Sequence, residues 1–165
     1  MVYGAISEEG EEYYTYLPKI FDAIDNAQLN YNWLITDCFC NFEIPVVTEV
    51  NKNGYCWISG EDLTKLVQNT HVQWIWAVLS GFPKDVPLSE VLKHPLPFAD
   101  GYGGFWRNPI SIQHPLATIE IVPWDSSSTL FFSTDKALVE KFKAGYPQSE
   151  DLSTYIARHE KQQEA

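Results

Sequence analysis

Apolar and polar positions alternate along much of the chain, and this pattern predicts β-strands. An apolar residue at every second position is typical of a strand with one buried face. Residues 72–79 (VQWIWAVL) are instead apolar at nearly every position, which indicates a strand covered on both faces at the centre of a sheet. The expected strands are residues 2–7, 31–40, 44–50, 55–58, 72–79, 116–122 and 129–133.

Between these strands, apolar residues spaced three or four apart predict helices. The first is expected near residues 11–26, with a break at Pro18 and with acids that interact favourably with the dipole at the helix start. Ser59 is expected to cap a helix over residues 59–69. The remaining helices are expected at residues 88–94, from Ser133 or Thr134 to Gly145, and from Ser149 to residue 160.

The connections indicate how these elements are arranged. Asn51-Lys52-Asn53-Gly54 tolerates positive φ, so a hairpin turn is expected between segments 44–50 and 55–58. The elements together predict an α+β fold, a mostly antiparallel sheet with helices packed on it. Residues 1–165 are expected to form one compact domain, with a frayed tail at 161–165.

Composition limits where the protein acts. The opening MVYGAISEEGEE lacks the basic and apolar regions of a secretory signal, and no stretch approaches about 18 uninterrupted apolar residues. Three cysteines cannot pair completely within one chain, which suits a reducing compartment. We therefore expect a cytoplasmic protein with no membrane partner.

Acidic side chains are concentrated in the N-terminal part of the chain. The formal net charge is −11, and residues 1–65 hold 11 acidic and 3 basic side chains, a net of −8. Nucleic acid is an unfavourable partner for such a chain, because phosphate binding needs clustered Lys and Arg. A basic protein partner fits, although acidity also promotes solubility. The densest acidic cluster, and the first candidate for binding such a partner, is Glu8, Glu9, Glu11 and Glu12.

A long segment without regular periodicity covers residues 94–115 (HPLPFADGYGGFWRNPISIQHP). Long irregular segments in compact domains are often functional or disordered, and the aromatic content here argues against disorder. Its composition matches an interface hot spot, and an equally open interpretation is that the aromatics only cover the edge of the sheet. The candidate partner-binding residues are Asp100, Tyr102, Phe105, Trp106 and Arg107.

The chain contains no motif that indicates catalysis. It has no G-x-S-x-G nucleophile motif, no P-loop and no G-x-G-x-x-G, so we expect no catalytic residue and no cofactor. Cys38-x-Cys40 lacks the usual spacing of zinc ligands, and strand alternation places both residues on one face beside Leu34. We therefore expect core cysteines and no metal site.

The order and hydrophobic pattern of several segments resemble a family of small, uncharacterised bacterial proteins. These segments are VYGAIS, YLPKIFDAID, NWLI, GEDLTKLVQN followed by VQWIWAVLSGFP, and SSTLFFSTDKALVEKFKAGY, and they span most of the chain. The resemblance assigns no functional residue, and segment 94–115 is longer and more aromatic than that family's pattern. By analogy, small acidic proteins of this kind resemble the immunity proteins of bacterial toxin pairs, which occlude the toxin by binding it.

Three functions stay open on this basis. The first is a non-enzymatic immunity protein that neutralises a basic toxin domain through acidic and aromatic surface. The second is a small-molecule-binding or enzymatic domain, with a pocket formed by His94, Tyr102, Trp106 and His114. The third is a structural accessory protein whose acidity only confers solubility.

Overall fold

The computed structural model describes residues 1–10 and 12–164, which form one antiparallel sheet with helices on it. The predicted α+β class is confirmed. The elements of the described residues are β1 (Tyr3–Ser7), α1 (Leu17–Ala23), β2 (Tyr31–Cys40), α2 (Pro45–Asn53), β3 (Cys56–Ser59), α3 (Gly60–Asn69), β4 (Trp74–Pro83), α4 (Leu88–Val91), β5 (Ile119–Trp124), β6 (Ser128–Ser133), α5 (Lys136–Gly145), β7 (Glu150–Asp151) and α6 (Leu152–Glu164). The sheet has the strand order β3-β2-β4-β5-β6-β1-β7, so the apolar β4 lies in its interior, as predicted.

Both faces of the sheet are covered, which explains why its central strands are apolar on both sides. Helices α1, α2, α3 and α5 cover one face, where Trp33, Ile121 and Phe131 are fully buried. The other face is covered by α6 and by segment 94–115, which buries Phe105 against Phe132. Each such large apolar side chain contributes about 1.5–3 kcal/mol when it is removed from water.

The segment predicted as a strand over residues 44–50 is the helix α2. Pro45 occupies the first turn, where its fixed φ suits a helix and its missing N–H is not needed. Val46 and Val50 are buried four residues apart on one side of α2. The expected hairpin turn is the end of this helix, where Gly54 adopts φ 84° and donates its N–H to Val50 O.

The first helix is shorter than predicted. α1 begins at Leu17, with Pro18 in its first turn, and no acidic residue lies in that turn. Glu8, Glu9 and Glu12 therefore precede the helix, and the predicted interaction with its dipole is wrong for these three. Glu11 lies outside the described residues.

A bulge in β2 changes which face its cysteines occupy. Thr36 pairs with Val78 but Phe39 pairs with Trp76, so β2 has one extra residue at this point. Asp37 accommodates it with a φ of 49°. As a result, Cys38 is buried with Trp33 and Ile35, and not with Leu34 as strict alternation predicted.

Carboxylates hold the irregular segment 94–115 against the sheet. The Asp37 carboxylate at the bulge accepts the N–H groups of Ala99 and Asp100, at 2.9 and 3.1 Å. The Glu120 carboxylate on β5 accepts the N–H groups of Gln113 and His114, at 2.9 and 3.4 Å. The segment therefore packs over a face of the sheet as an ordered layer.

The C-terminal elements differ slightly from the prediction. Asp135, rather than Ser133 or Thr134, caps α5 by accepting Ala137 N–H. Glu150 and Asp151 pair with β1 as the short strand β7, and Asp151, rather than Ser149, caps α6 by accepting the Thr154 N–H at 3.0 Å. α6 continues to Glu164, through residues that were expected to fray.

Candidate functional site

The acidic residues that follow β1 line a concavity of about 420 Å³. Glu8 and Glu12 are exposed and Glu9 is half-buried. Glu9 Oε1 accepts the backbone N–H of Gln148 at 2.9 Å, which fixes one carboxylate against the connection that precedes β7. The wall of this concavity also contains Gly10, Tyr13 and Tyr14.

A neighbouring concavity of about 460 Å³ lies between segment 94–115 and α6. A short 3-10 helix, Gly103–Trp106, presents Trp106 and Arg107 to it. The Trp106 indole is half-buried, because it packs edge-on against Trp124 with ring centroids 5.1 Å apart. The α6 residues on the opposite wall are Tyr155, Ile156, His159, Glu160 and Gln163.

Tyr155 connects these two concavities. Its hydroxyl donates a hydrogen bond to Glu8 Oε1 at 3.0 Å, and its ring lies 6.2 Å from the Trp106 ring. Burial, followed by the hydrogen bond to Glu8, raises the pKa of the Tyr155 hydroxyl, so this group stays a donor at neutral pH. We refer to Glu8, Glu9, Glu12, Trp106, Arg107, Tyr155 and His159 as the acidic–aromatic surface.

Two neighbours on α6 hold the Tyr155 ring in place. His159 stacks on it with centroids 4.1 Å apart, and His159 Nδ1 lies 2.9 Å from Tyr155 O. Arg158 lies 5.5 Å from the centre of the same ring and forms a bidentate pair with Glu150. The hydrogen bond from Arg158 lowers the pKa of the Glu150 carboxyl, which keeps this ion pair charged.

Other residues predicted for this site lie elsewhere. Phe105 is fully buried against the sheet, so it is not accessible to a partner in this structure. Tyr102 packs between Phe98 and Phe105, with ring centroids 5.2 and 4.7 Å away. Asp100 is exposed, but it lines neither concavity. Of the five residues predicted in segment 94–115, the structure places Trp106 and Arg107 together at the site.

A pocket was expected from His94, Tyr102, Trp106 and His114, and of these four residues only Trp106 lines either of the two concavities. His114 is buried, and its ring lies 5.3 Å from that of His94, while Trp106 packs against Trp124 and Tyr155. His114 Nδ1 accepts the Leu116 N–H at 3.2 Å, so Nε2 carries the proton and donates to Val91 O at 3.0 Å. Burial lowers the pKa of His114, which makes it a neutral structural residue.

Glu120 is a fully buried carboxyl group that sequence reasoning missed, because its segment reads as a simple strand. Ser80 Oγ donates to Glu120 Oε2 at 2.9 Å, and the amides of Gln113 and His114 supply further donors. Burial raises the pKa of Glu120 to about 7 against the effect of these donors. It lies in none of the concavities described here and serves to anchor segment 94–115.

The two concavities present carboxylates, aromatic rings, an imidazole, a guanidinium and amides. Among the described residues that line them there is no Ser, Thr or Cys. Cys38 lies away from them, and its hydrogen bond with Cys40, together with burial, raises the pKa of its thiol. Within residues 1–10 and 12–164, no three His, Cys, Asp or Glu side chains are grouped so that they could hold a metal ion.

Comparisons of the chain with protein-family models, curated proteins and solved structures gave no significant match. Across the described ranges of the chain, none of the helices is long and apolar enough to cross a membrane.

Proposed function

We propose that this protein is a non-enzymatic protein-binding domain that recognises a basic partner protein through the acidic–aromatic surface. The hydrogen bond between Glu8 and Tyr155 carries this proposal, because it joins the acidic and aromatic concavities into one surface. This surface contains three carboxylates together with Trp and Tyr, the residue types enriched at interface hot spots.

Electrostatics supports a basic partner. The acids of this surface belong to residues 1–65, which carry a net charge of −8 within a total of −11. Opposite charge on a partner accelerates encounter, and like charge suppresses wrong partners. The exposed Glu8 and Glu12 are placed to interact with basic side chains at the rim of an interface.

The aromatic concavity supports an anchor contact. Trp106 is half-buried and braced by Trp124 and Tyr155, so it is already ordered before a partner binds. A preordered aromatic side chain loses little conformational entropy on binding. A partner side chain that enters beside Trp106 therefore gains contact area at small entropic cost.

The biological role we propose is that of an immunity protein that neutralises a cognate bacterial toxin in the cytoplasm. Neutralisation by occlusion needs a tight protein interface and no catalytic group, which agrees with the composition of the acidic–aromatic surface. The resemblance of the chain's segment order to small bacterial proteins gives this role by analogy.

Co-expression tests this role directly. Cells that express the protein encoded immediately upstream should lose viability and regain it when this chain is co-expressed. The quadruple variant Glu8→Gln, Glu9→Gln, Glu12→Gln and Trp106→Ala should fold but lose protection. A harmless upstream protein, or full protection by the folded variant, would contradict the proposal.

A small-molecule-binding function is the second candidate, supported by the size of the Trp106 concavity. At about 460 Å³ it falls within the roughly 300–1,000 Å³ range of ligand pockets, and Arg107, Glu160 and Gln163 supply polar groups. A thermal-shift screen of small molecules tests it. A ligand whose stabilising effect disappears in Trp106→Ala would favour this second function.

A further inference from the structure

A third concavity lies at the other end of the sheet, beside the outer edge of β3. Among the strands that the structure describes, β3 is the last in the order and pairs with β2 alone. Among the described residues, no turn or loop backbone hydrogen bond reaches residues 55–58. An edge strand with free N–H and C=O groups is a template on which another strand can pair.

The concavity is an apolar groove of about 480 Å³ with β3 as its floor. The buried residues Val46 and Val50 of α2 face the sheet, as do Leu63 and Val67 of α3. The space between the two helices is therefore left open. The groove is lined by Pro45, Val46, Glu49, Cys56, Trp57, Ile58, Asp62, Lys65, Leu66, Asn69 and Thr70.

The thiol in the floor behaves as an apolar group. Burial, with a further contribution from the Glu49 carboxylate, raises the pKa of Cys56 to about 11. Cys56 is therefore protonated at neutral pH and is a poor nucleophile. The groove consequently suits apolar side chains rather than covalent chemistry.

The charges on the walls favour a basic occupant. Glu49 on α2 and Asp62 on α3 are exposed, and neither forms an ion pair within the described part of the chain. Lys65 is the basic residue of the lining. A second copy of this chain would bring its own net charge of −11 against these acids, which disfavours self-pairing.

We propose that the outer edge of β3 and this groove bind an extended, basic segment of a partner protein. The segment adds a strand to β3 through main-chain hydrogen bonds, which is an established mode of peptide recognition. On the side of the segment that faces α2 and α3, apolar side chains enter the groove. Basic side chains flank them and interact with Glu49 and Asp62.

This site is separate from the acidic–aromatic surface. Glu8 directly follows β1 and Tyr155 is in α6 just after β7, whereas the groove is at β3. Strands in a sheet are about 4.8 Å apart, so the two edges of this sheet are about 29 Å apart. Binding at the groove is therefore independent of the function proposed for the acidic–aromatic surface.

A synthetic peptide provides the test. In acetyl-Lys-Thr-Val-Thr-Val-Thr-Lys-amide, extended geometry places both valines and both lysines on one side. Titration into the ¹⁵N-labelled full chain should give saturable shifts at residues 56–59, with slower amide exchange in β3. The peptide with Glu in place of both Lys should bind at least about tenfold more weakly.

Charge reversal in the protein supplies matched controls. The double variant Glu49→Lys and Asp62→Lys should bind the basic peptide at least about tenfold more weakly. The double variant Glu140→Lys and Glu164→Lys makes the same change in net charge on α5 and α6, and its affinity should stay within about twofold of wild type. Glu8→Gln, Glu9→Gln and Glu12→Gln together should also leave this affinity unchanged.

Several results would overturn the proposal. One is the absence of saturable binding, and another is a set of shifts that maps away from β3, α2 and α3. If both double variants weaken the affinity for the basic peptide equally, net charge alone would explain the effect, without a specific role for Glu49 and Asp62. Sedimentation that shows a dimer, with β3 resonances that change on dilution, would make a second copy of this chain the occupant instead.

Discussion

Glu8 and Tyr155 are 147 residues apart in sequence, yet the Tyr155 hydroxyl donates a hydrogen bond to the Glu8 carboxylate at 3.0 Å. The contact forms because β7 pairs with β1 and delivers the start of α6 beside the residues that follow β1. Charge from the N-terminal segment and aromatic surface from α6 thus come together.

The first prediction concerns Tyr155→Phe, which keeps the ring and removes the hydroxyl. The free energy of unfolding should fall by no more than about 1 kcal/mol, because one partly exposed hydrogen bond is lost. Affinity for the basic partner should fall several-fold, because Glu8 is no longer held in position. Urea unfolding and calorimetric titration measure the two effects.

Tyr3→Phe is the control for that variant. Tyr3 is also half-buried, and its ring lies 6.0 Å from the Lys136 ammonium, away from the acidic–aromatic surface. The Tyr3→Phe variant should bind the basic partner with the affinity of wild type. If Tyr155→Phe also binds like wild type, the Glu8–Tyr155 bond is not part of the binding surface.

The second prediction separates two adjacent aromatic residues of segment 94–115. Phe105 is fully buried, so Phe105→Ala should lower the free energy of unfolding by about 3–5 kcal/mol. Trp106 is half-buried, so Trp106→Ala should cost only about 1–2 kcal/mol while it strongly weakens partner binding. Equal losses of stability in urea would place both side chains in the core.

The third prediction is a pH dependence of stability that arises from Glu120. Its folded pKa is about 7 and its ordinary value is 4.5. Between these values the folded chain holds a proton that the unfolded chain has released. The contribution of Glu120 to the free energy of unfolding should therefore decrease as pH rises from 4.5 to 7, by on the order of 3 kcal/mol.

Glu120→Gln isolates this effect. The variant amide can accept the Gln113 N–H and donate to Ser80, and it does not titrate. Burial lowers the pKa of His114, so below pH 6.5 its contribution to the free energy of unfolding increases with pH, in wild type and variant alike. The contribution of His114 cancels when the free energy of unfolding of the variant is subtracted from that of wild type. If this difference does not change between pH 4.5 and 7, the assignment of Glu120 as a buried carboxyl group is wrong.

Elements with strong local signals were predictable from sequence. Ser59 caps α3 by accepting the Asp62 N–H, as predicted from the residue types alone. β5 and β6, both predicted as strands, pair as an antiparallel hairpin. In these cases local propensity, capping and burial all favour the same structure.

Other features depend on contacts that no local pattern contains. Valines favour strands, but the segment predicted as a strand over residues 44–50 forms the helix α2, because packing against the sheet buries Val46 and Val50 on one side of it. The bulge at Asp37 follows from the pairing of β2 with β4 and from the N–H groups that its carboxylate accepts. Tyr155 and His159 lie one turn apart on α6, as core residues of a helix do, and only the positions of Glu8 and Trp106 bring them into the acidic–aromatic surface.

The most direct test of the account measures how fast this protein binds the basic partner that we propose for it. The triple variant Glu8→Gln, Glu9→Gln and Glu12→Gln should associate more slowly than wild type at low ionic strength, with a flatter salt dependence and little change in dissociation. Asp22→Asn, Asp85→Asn and Glu140→Gln remove the same charge elsewhere and should have a smaller effect.

Stopped-flow association with the upstream-encoded protein that we propose as the partner, from low to physiological ionic strength, gives the deciding comparison. A clear loss of association rate in the first triple variant, beyond that of the control, is the result we expect from the acidic–aromatic surface. Equal association rates in both triple variants would contradict the central claim, because they would show that overall charge alone controls the encounter.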